Sequence, residues 1–296
     1  MIGIIGGTGL GEALFGSVTG KEHYPETPFG RPSSPIRVVS WHGLDVALLA
    51  RHGEGHVFNP AQVPYRANIY ALKMLGVTHV IASGAVGSLR AKIRPRDLVI
   101  VDQIVDKTYR RIPTFFDDGL AVHVEFADPC CPCLRNLLCE AAGKVVAKVH
   151  RRGTYVCMEG PAFSTTAESH LHRQWGGDVI GMTAMPEARL AREAELCYGL
   201  VALATDYDCW RPHDPDQPRQ ELLAEIIGNL KAATANAVDL IRAVIELFAA
   251  APPPRCAVQN ALDLAVWTDR SKITPAVAQK YGVLLQRYLE KPVGVA

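Results

Sequence analysis

Short apolar runs of strand length recur through the first two-thirds of the chain, and each ends in a polar or glycine-rich stretch. Residues 2–5 run into Gly6-Gly7-Thr8-Gly9-Leu10-Gly11. Residues 36–40 and 46–50 form a second pair, the latter ending in Arg51-His52-Gly53-Glu54-Gly55-His56. Residues 78–83 precede Gly84-Ala85-Val86-Gly87-Ser88-Leu89-Arg90, which reads as a glycine loop. Residues 98–101, 154–158 and 178–181 are further strands, and 198–205 is an apolar run ending in Thr205-Asp206-Tyr207-Asp208. Continuous apolar runs of this length suit strands buried on both faces of a sheet.

Helical stretches fall between them. Pro64 opens a helix to Leu75 with Gly76 as its stop. Residues 132 to about 149 read as a helix, Thr165 or Thr166 caps one running to Trp175, and Pro186 opens another. Residues 106–126 lack a period and read as a long surface excursion, and 211–218 read as a loop. A long amphipathic helix spans residues 219–250 until Pro252-Pro253-Pro254 breaks it, and 275–289 suits a terminal helix. This alternation predicts an α/β fold: one domain over residues 1–250 with a central mixed, largely parallel β-sheet flanked by helices, then a helical appendage over 251–296.

Composition narrows the function classes. The 296 residues carry 31 Lys and Arg against 30 Asp and Glu, a balance with no global pull towards nucleic acid or anionic membrane. No apolar stretch approaches the roughly 20 residues of a membrane helix, and the first residues lack a signal peptide's basic region. A cytoplasmic protein is expected, its eight cysteines mostly free thiols. Cys130-Cys131-Pro132-Cys133 has no second Cys or His pair at zinc-finger spacing, so no metal site is assigned.

The chemistry collects at strand ends, where open α/β sheets bind ligands. Gly6–Gly11 follows a strand, as anion-binding turns do, but has neither the dinucleotide register nor the lysine of a P-loop; by itself it is equally a tight turn. Arg51 is a fixed cation with a fork suited to phosphate. His52 and His56 have metal-like spacing, but Gly53 and Gly55 disfavour a helix and no third ligand follows, so an anion or substrate loop is preferred. Asp206 and Asp208 would repel phosphate and must face another part of the ligand. A molecule with an anion at one end and a nucleobase amine at the other satisfies both ends.

Taken jointly, Ile4-Ile5-Gly6-Gly7-Thr8-Gly9-Leu10, Arg51-His52-Gly53 with His56, Ala85-Val86-Gly87-Ser88-Leu89-Arg90, Glu159-Gly160-Pro161, Gly181-Met182-Thr183, Pro186-Glu187 and Thr205-Asp206-Tyr207-Asp208-Cys209-Trp210 resemble the trimeric purine nucleoside phosphorylase superfamily. The resemblance is strongest to its methylthioadenosine branch and covers residues 1 to about 250. It implies a pentosyltransferase of purine and methionine salvage that performs reversible phosphorolysis of 5′-methylthioadenosine. It implies inorganic phosphate as co-substrate, no cofactor, no metal, and a homotrimer or dimer of trimers. By matching position, Thr8, Arg51, His52 and Thr183 hold phosphate with the amides of Gly84 and Ala85. Met182 lies against the ribose, Phe163 and Ser164 border the base with Gly181 and Thr205, and Asp206 and Asp208 read it. Asp206 is the expected proton donor and Asp208 its partner. His56 and the helix after Pro218 line the methylthio end, completed by His123 of a neighbouring subunit.

Three positions depart from the family pattern. Gly84 stands where relatives place a hydroxyl or amide residue, a role Ser83 or Ser88 can take over. Ala162 replaces a frequent arginine, and Gly181 stands where methylthioadenosine enzymes often carry Asn. The alternative is a 6-oxopurine nucleoside or methylthioinosine phosphorylase. A hydrolytic nucleosidase would leave the anion site without purpose, and a non-catalytic nucleoside-binding protein would need no proton donor.

Overall fold

The structure, a computed structural model, describes residues 1–10, 13, 18–212 and 218–290. Gly11 and residues 213–217 of the expected loop lie outside the described residues. Eleven strands form one sheet: β1 (Ile2–Gly6), β2 (Lys21–His23), β3 (Ile36–Trp41), β4 (Leu44–Ala50), β5 (His79–Ser88), β6 (Leu98–Ile100), β7 (Gln103–Asp106), β8 (Val149–His150), β9 (Thr154–Cys157), β10 (Val179–Gly181) and β11 (Cys197–Tyr207). The path runs β2-β3-β4-β1-β5-β10-β9-β7, with β11 on β5 and β6, and β8 on β6. Pairings β4–β1, β1–β5, β5–β11, β10–β9, β7–β9 and β6–β8 are parallel, and the remainder antiparallel. The expected mixed, largely parallel sheet is therefore the observed one.

Helices cover both faces, which is why β1 is buried at every position. On one face, α1 (Tyr65–Met74) and α4 (Ala184–Glu193) pack with Ile5, Val80, Leu200 and Ala202. On the other, α2 (Pro132–Ala141) and the 32-residue α5 (Arg219–Ala250) pack with Ile2, Ile4, Ile81, Val201 and Leu203. Neighbouring residues of one strand thus serve opposite cores, as the two-residue period of a strand requires. A helix between them in sequence, α3 (Thr166–Gln174), starts at a capping box in which Thr165 and Glu168 satisfy each other's backbone N–H, worth about 0.5–2 kcal/mol at the Thr165 side.

Four expectations change. The glycine stretch after Ser83 is strand, not loop: β5 continues to Ser88, and Gly87 accommodates Ile180 and Asp208, which a Cβ there would meet at 3.2–3.3 Å. Residues 106–126 are no mere surface excursion, because Phe115, Phe116 and Leu120 enter the core. The helix from Pro132 ends at Ala141, and the valine-rich run behind it leads to β8, as β-branched residues favour. The terminal helix divides into α6 (Pro275–Tyr281), a 3₁₀ turn and α7 (Gln286–Glu290). The break is at Gly282, whose φ of 44° and close approach to the Tyr70 hydroxyl exclude larger residues. Residues after the proline run pack into the body through Leu262, Tyr281, Leu284 and Leu285, and Arg287 Nε bonds Glu195 at 2.6 Å. Among the described residues no helix is long and apolar enough to cross a membrane.

Candidate active site

The site lies where the sheet splits along one edge of β5. β1 pairs with that strand only as far as Ile5 opposite Ala82, and β10 begins pairing at Gly87 and Ser88. Residues 83–86 fall in the gap between them, while β11 continues along the other edge. Such a fork is where an α/β sheet presents backbone polar groups to a ligand.

Three loops fill the fork. Gly7, at the end of β1, sits so close that a Cβ would be 2.6 Å from Ser83 O and 2.7 Å from Arg51 Nη1. Its N–H donates to Ser83 Oγ at 3.4 Å. The Thr183 hydroxyl arrives from the end of β10, 3.4 Å from where a Gly84 Cβ would stand. A Cβ at Gly84 would meet that hydroxyl at ordinary van der Waals distance, so the hydroxyl borders the strand without crowding it. Ser83 is the hydroxyl residue that faces the fork, whereas Ser88 Oγ donates to Arg90 O at 2.8 Å.

Arg51 is wholly buried, and its fork is already engaged. Nε and Nη2 donate to the two carboxylate oxygens of Glu187 at 2.7 and 2.8 Å, and Nη1 donates to Ser83 O at 2.6 Å. Glu187 also accepts from the Tyr198 hydroxyl at 2.9 Å. Arg51 therefore fixes the fork's geometry from beneath, with its charge balanced by Glu187. His52 donates Nδ1–H to Phe58 O at 2.8 Å, since a carbonyl only accepts, and burial and the Arg51 charge push its pKa down to about 4 and keep the ring neutral. That tautomer leaves Nε2 as an acceptor, suited to a P–OH or a sugar hydroxyl. His52 stacks on the exposed His56 ring at 4.2 Å. Thr8, His52 and His56 line a cavity of about 190 Å³ together with Gly6, Ser34, Arg37 and Glu54.

The other end of the fork belongs to β11. A bulge between Ala204 and Asp206 shifts the register there, so that Asp206 faces Gly87 of β5. The Thr205 hydroxyl donates to Asp206 Oδ1 at 2.6 Å. Asp208 is 9% exposed, and its Oδ2 is buried without a hydrogen-bond partner in the protein. Met182 lies over Gly160, where a φ of 69° and a Cβ that would stand 2.5 Å from the Met182 sulfur favour glycine.

Gly181 has a specific neighbour. A Cβ there would be 2.0 Å from the Tyr155 hydroxyl, which accepts from Thr183 N–H at 3.3 Å. Tyr155 thus occupies the space of a residue-181 side chain and bonds the Thr183 backbone from it. Gly181→Asn is expected to destabilise the fold by about 1–3 kcal/mol through overpacking, measured by urea unfolding. Stability equal to the parent would show that Tyr155 has room to move.

The remaining expected residues are not all gathered here. Phe163 is 86% exposed, and Ser164 lies near Met158 with Oγ 3.8 Å from its sulfur. His123 is exposed, its backbone N–H donates to Ala265 O, its ring packs on Trp267 at 5.1 Å, and it is not among the cavity's lining residues.

Sequence reading missed Arg111. Its buried guanidinium donates to the carbonyls of Met182 and Glu159 at 2.6 and 2.7 Å and to that of Met185, so it ties the loops after β9 and β10 together. It lies in a stretch without periodicity, and no sequence signal marked it. Lys107 and His172 were also missed. Lys107 Nζ donates to His172 Nε2 at 2.8 Å, and His172 is close enough to Asp208 to feel its charge.

Residues 1–246 match the family model described as the phosphorylase superfamily. The chain belongs to that family. It is 48% identical over 291 residues to an S-methyl-5′-thioadenosine phosphorylase of Gloeobacter violaceus, covering 97% of this chain and 95% of that one. It is 46% identical over 293 residues to the protein of that name from Thermosynechococcus vestitus, at 97% and 99% coverage. A crystal structure of methylthioadenosine phosphorylase from an antarctic soil metagenomic library aligns with TM-score 0.88 and 42% identity, over 96% of this chain and 98% of that one. An adenosine/methylthioadenosine phosphorylase double mutant from Schistosoma mansoni, in complex with adenine, aligns at 0.81 and 30% identity, over 90% and 99%. The fold is thus shared along nearly the whole chain.

Proposed function

We propose that this phosphorylase cleaves 5′-methylthioadenosine reversibly, using phosphate to release adenine and 5-methylthioribose 1-phosphate. The observation that carries the choice of base is the buried, unpartnered Oδ2 of Asp208. A carboxylate oxygen withdrawn from water needs a donor, and a 6-amino group is one where a 6-oxo group is not. Relatives of that name across nearly the full chain support the same substrate.

Phosphate occupies the fork beside Gly7, Gly84, Ala85 and Thr183, with Thr8 and the His52 acceptor at its mouth. One of its oxygens attacks the anomeric carbon as the bond to the base breaks, and the bonding pair leaves with the purine. Phosphate held under the ring stabilises the positive charge that develops there. Asp206 passes a proton or a strong hydrogen bond to the seven-position nitrogen of the departing base. No metal or organic cofactor enters this scheme.

The methylthio end, near His56, is completed by a second copy in a homotrimer. His123 lies beside Leu264 and Trp267, which are 87% and 74% exposed, an apolar surface that supports such a neighbour. The setting is cytoplasmic, in purine and methionine salvage.

Product analysis with methylthioadenosine, with and without phosphate, tests the reading. Adenine and the sugar phosphate are expected only when phosphate is present, with methylthioadenosine preferred over methylthioinosine and inosine by at least about tenfold. Release of free sugar without phosphate would make the chain a nucleosidase.

A further inference from the structure

Eight cysteines are free in this chain, and a group of them converges far from the fork. Cys131 is the N-cap of α2, and Cys133 lies two residues on in its first turn. Cys256 comes from the segment behind the proline run, and Cys197 opens β11. The sulfurs of Cys131, Cys133 and Cys256 all lie within 4.8 Å of one another. Cys256 Sγ is 3.4 Å from Cys131 Sγ and 2.9 Å from Cys197 Sγ. Cys197 stands nine positions before Asp206 along the strand, roughly 30 Å at the usual rise, so the phosphorolysis chemistry has no use for these thiols.

We propose that Cys131, Cys133 and Cys256, with Cys197 behind them, form a binding site for one thiophilic d10 cation, zinc(II) or copper(I). Metal–thiolate bonds of about 2.3 Å at tetrahedral angles place sulfurs about 3.8 Å apart, within the range this cluster spans. Three or four soft sulfur ligands without a carboxylate select such ions over magnesium or calcium. The ligands are also held through the backbone. Gln259 N–H donates to Cys256 O at 3.0 Å, and Gln259 Oε1 accepts from Cys256 N–H at 3.2 Å. Such outer bonds fix and tune metal ligands. Cys131 and Cys197 are buried, while Cys133 and Cys256 are half-buried, which leaves an entry side. Binding replaces thiol protons with the cation: each thiol that ligates releases H⁺, and no redox partner is needed.

The test uses the full chain, reduced and freed of metal. Cobalt(II) serves as the probe, because thiolate ligation gives an intense near-ultraviolet charge-transfer band and tetrahedral visible bands. The bands should appear at about one ion per chain, with proton release, and should vanish as zinc(II) is added. In a separate arm, copper(I) is offered from a competing chelator; binding there with no cobalt or zinc signal assigns the site to copper(I). Cys133→Ser and Cys256→Ser should each weaken binding by more than the roughly 10–100-fold typical of losing an outer-shell partner. Cys139→Ser, outside the cluster, should leave binding unchanged, and phosphorolysis should persist in Cys133→Ser. Cobalt, zinc and copper all failing to bind the folded, reduced chain would overturn the site. So would bands that survive both ligand substitutions, or thiols that bind no metal and simply oxidise in pairs.

Discussion

Asp206→Ala is expected to lower kcat for methylthioadenosine phosphorolysis by about 10²–10⁴-fold, the usual contribution of a positioned proton donor. The position follows from the β11 bulge, which sets Asp206 opposite Gly87 and against the Thr205 hydroxyl at 2.6 Å. Loss of the carboxylate leaves the departing base to carry its negative charge unaided. The phosphate end of the fork is untouched, so the phosphate KM should change far less than kcat. Steady-state rates of adenine release with phosphate varied at saturating nucleoside measure both constants. Circular dichroism unchanged from the parent would confirm that the drop is not unfolding, and near-normal turnover would remove Asp206 from the mechanism.

Glu187→Ala should be among the most destabilising single changes in the chain. Glu187 is 1% exposed and holds both arms of a wholly buried arginine. Removing it strands the Arg51 charge, at a cost of about 3–5 kcal/mol, a large share of the 5–15 kcal/mol typical of a folded domain. Urea unfolding measures the loss. A double replacement, Arg51→Met with Glu187→Met, separates stability from function. Two apolar side chains of similar length should recover much of the stability, because no charge remains buried. Phosphorolysis should not recover, since Arg51 no longer positions Ser83 and Gly7 around the anion. A Glu187→Ala variant as stable as the parent would show that water reaches Arg51, contrary to its burial.

Much of this site was legible from local pattern. The ends of β1, β4 and β11 each pair an apolar run with polar or glycine residues and so mark Gly7, Arg51 and Asp206, while Thr183 is marked by the family resemblance. What the pattern misjudged is also instructive. Residues 84–87 have loop composition, but they continue a strand whose Gly87 packs closely against Asp208 and Ile180. Arg51 has the chemistry of an anion ligand, and no local pattern marks that its guanidinium also bonds a carboxylate 136 residues away. Arg111 had no signal at all, because a residue that bridges two loops by bonding carbonyls leaves no periodic trace.

The sequence by itself determined the main strands and helices, the burial of the central strands on both faces and the clustering of chemistry at strand ends. These follow from side-chain hydrophobicity and spacing, which are local properties. Only the tertiary structure decided which ends meet. The gap along β5 depends on where β1 stops and β10 begins, and the space at Gly181 on a tyrosine from the neighbouring strand β9. Glu187 neutralises Arg51, and Cys256 joins Cys131 and Cys133, because strand order and helix packing bring distant segments into contact. Such partners are set by position in three dimensions, and neither period nor composition encodes them.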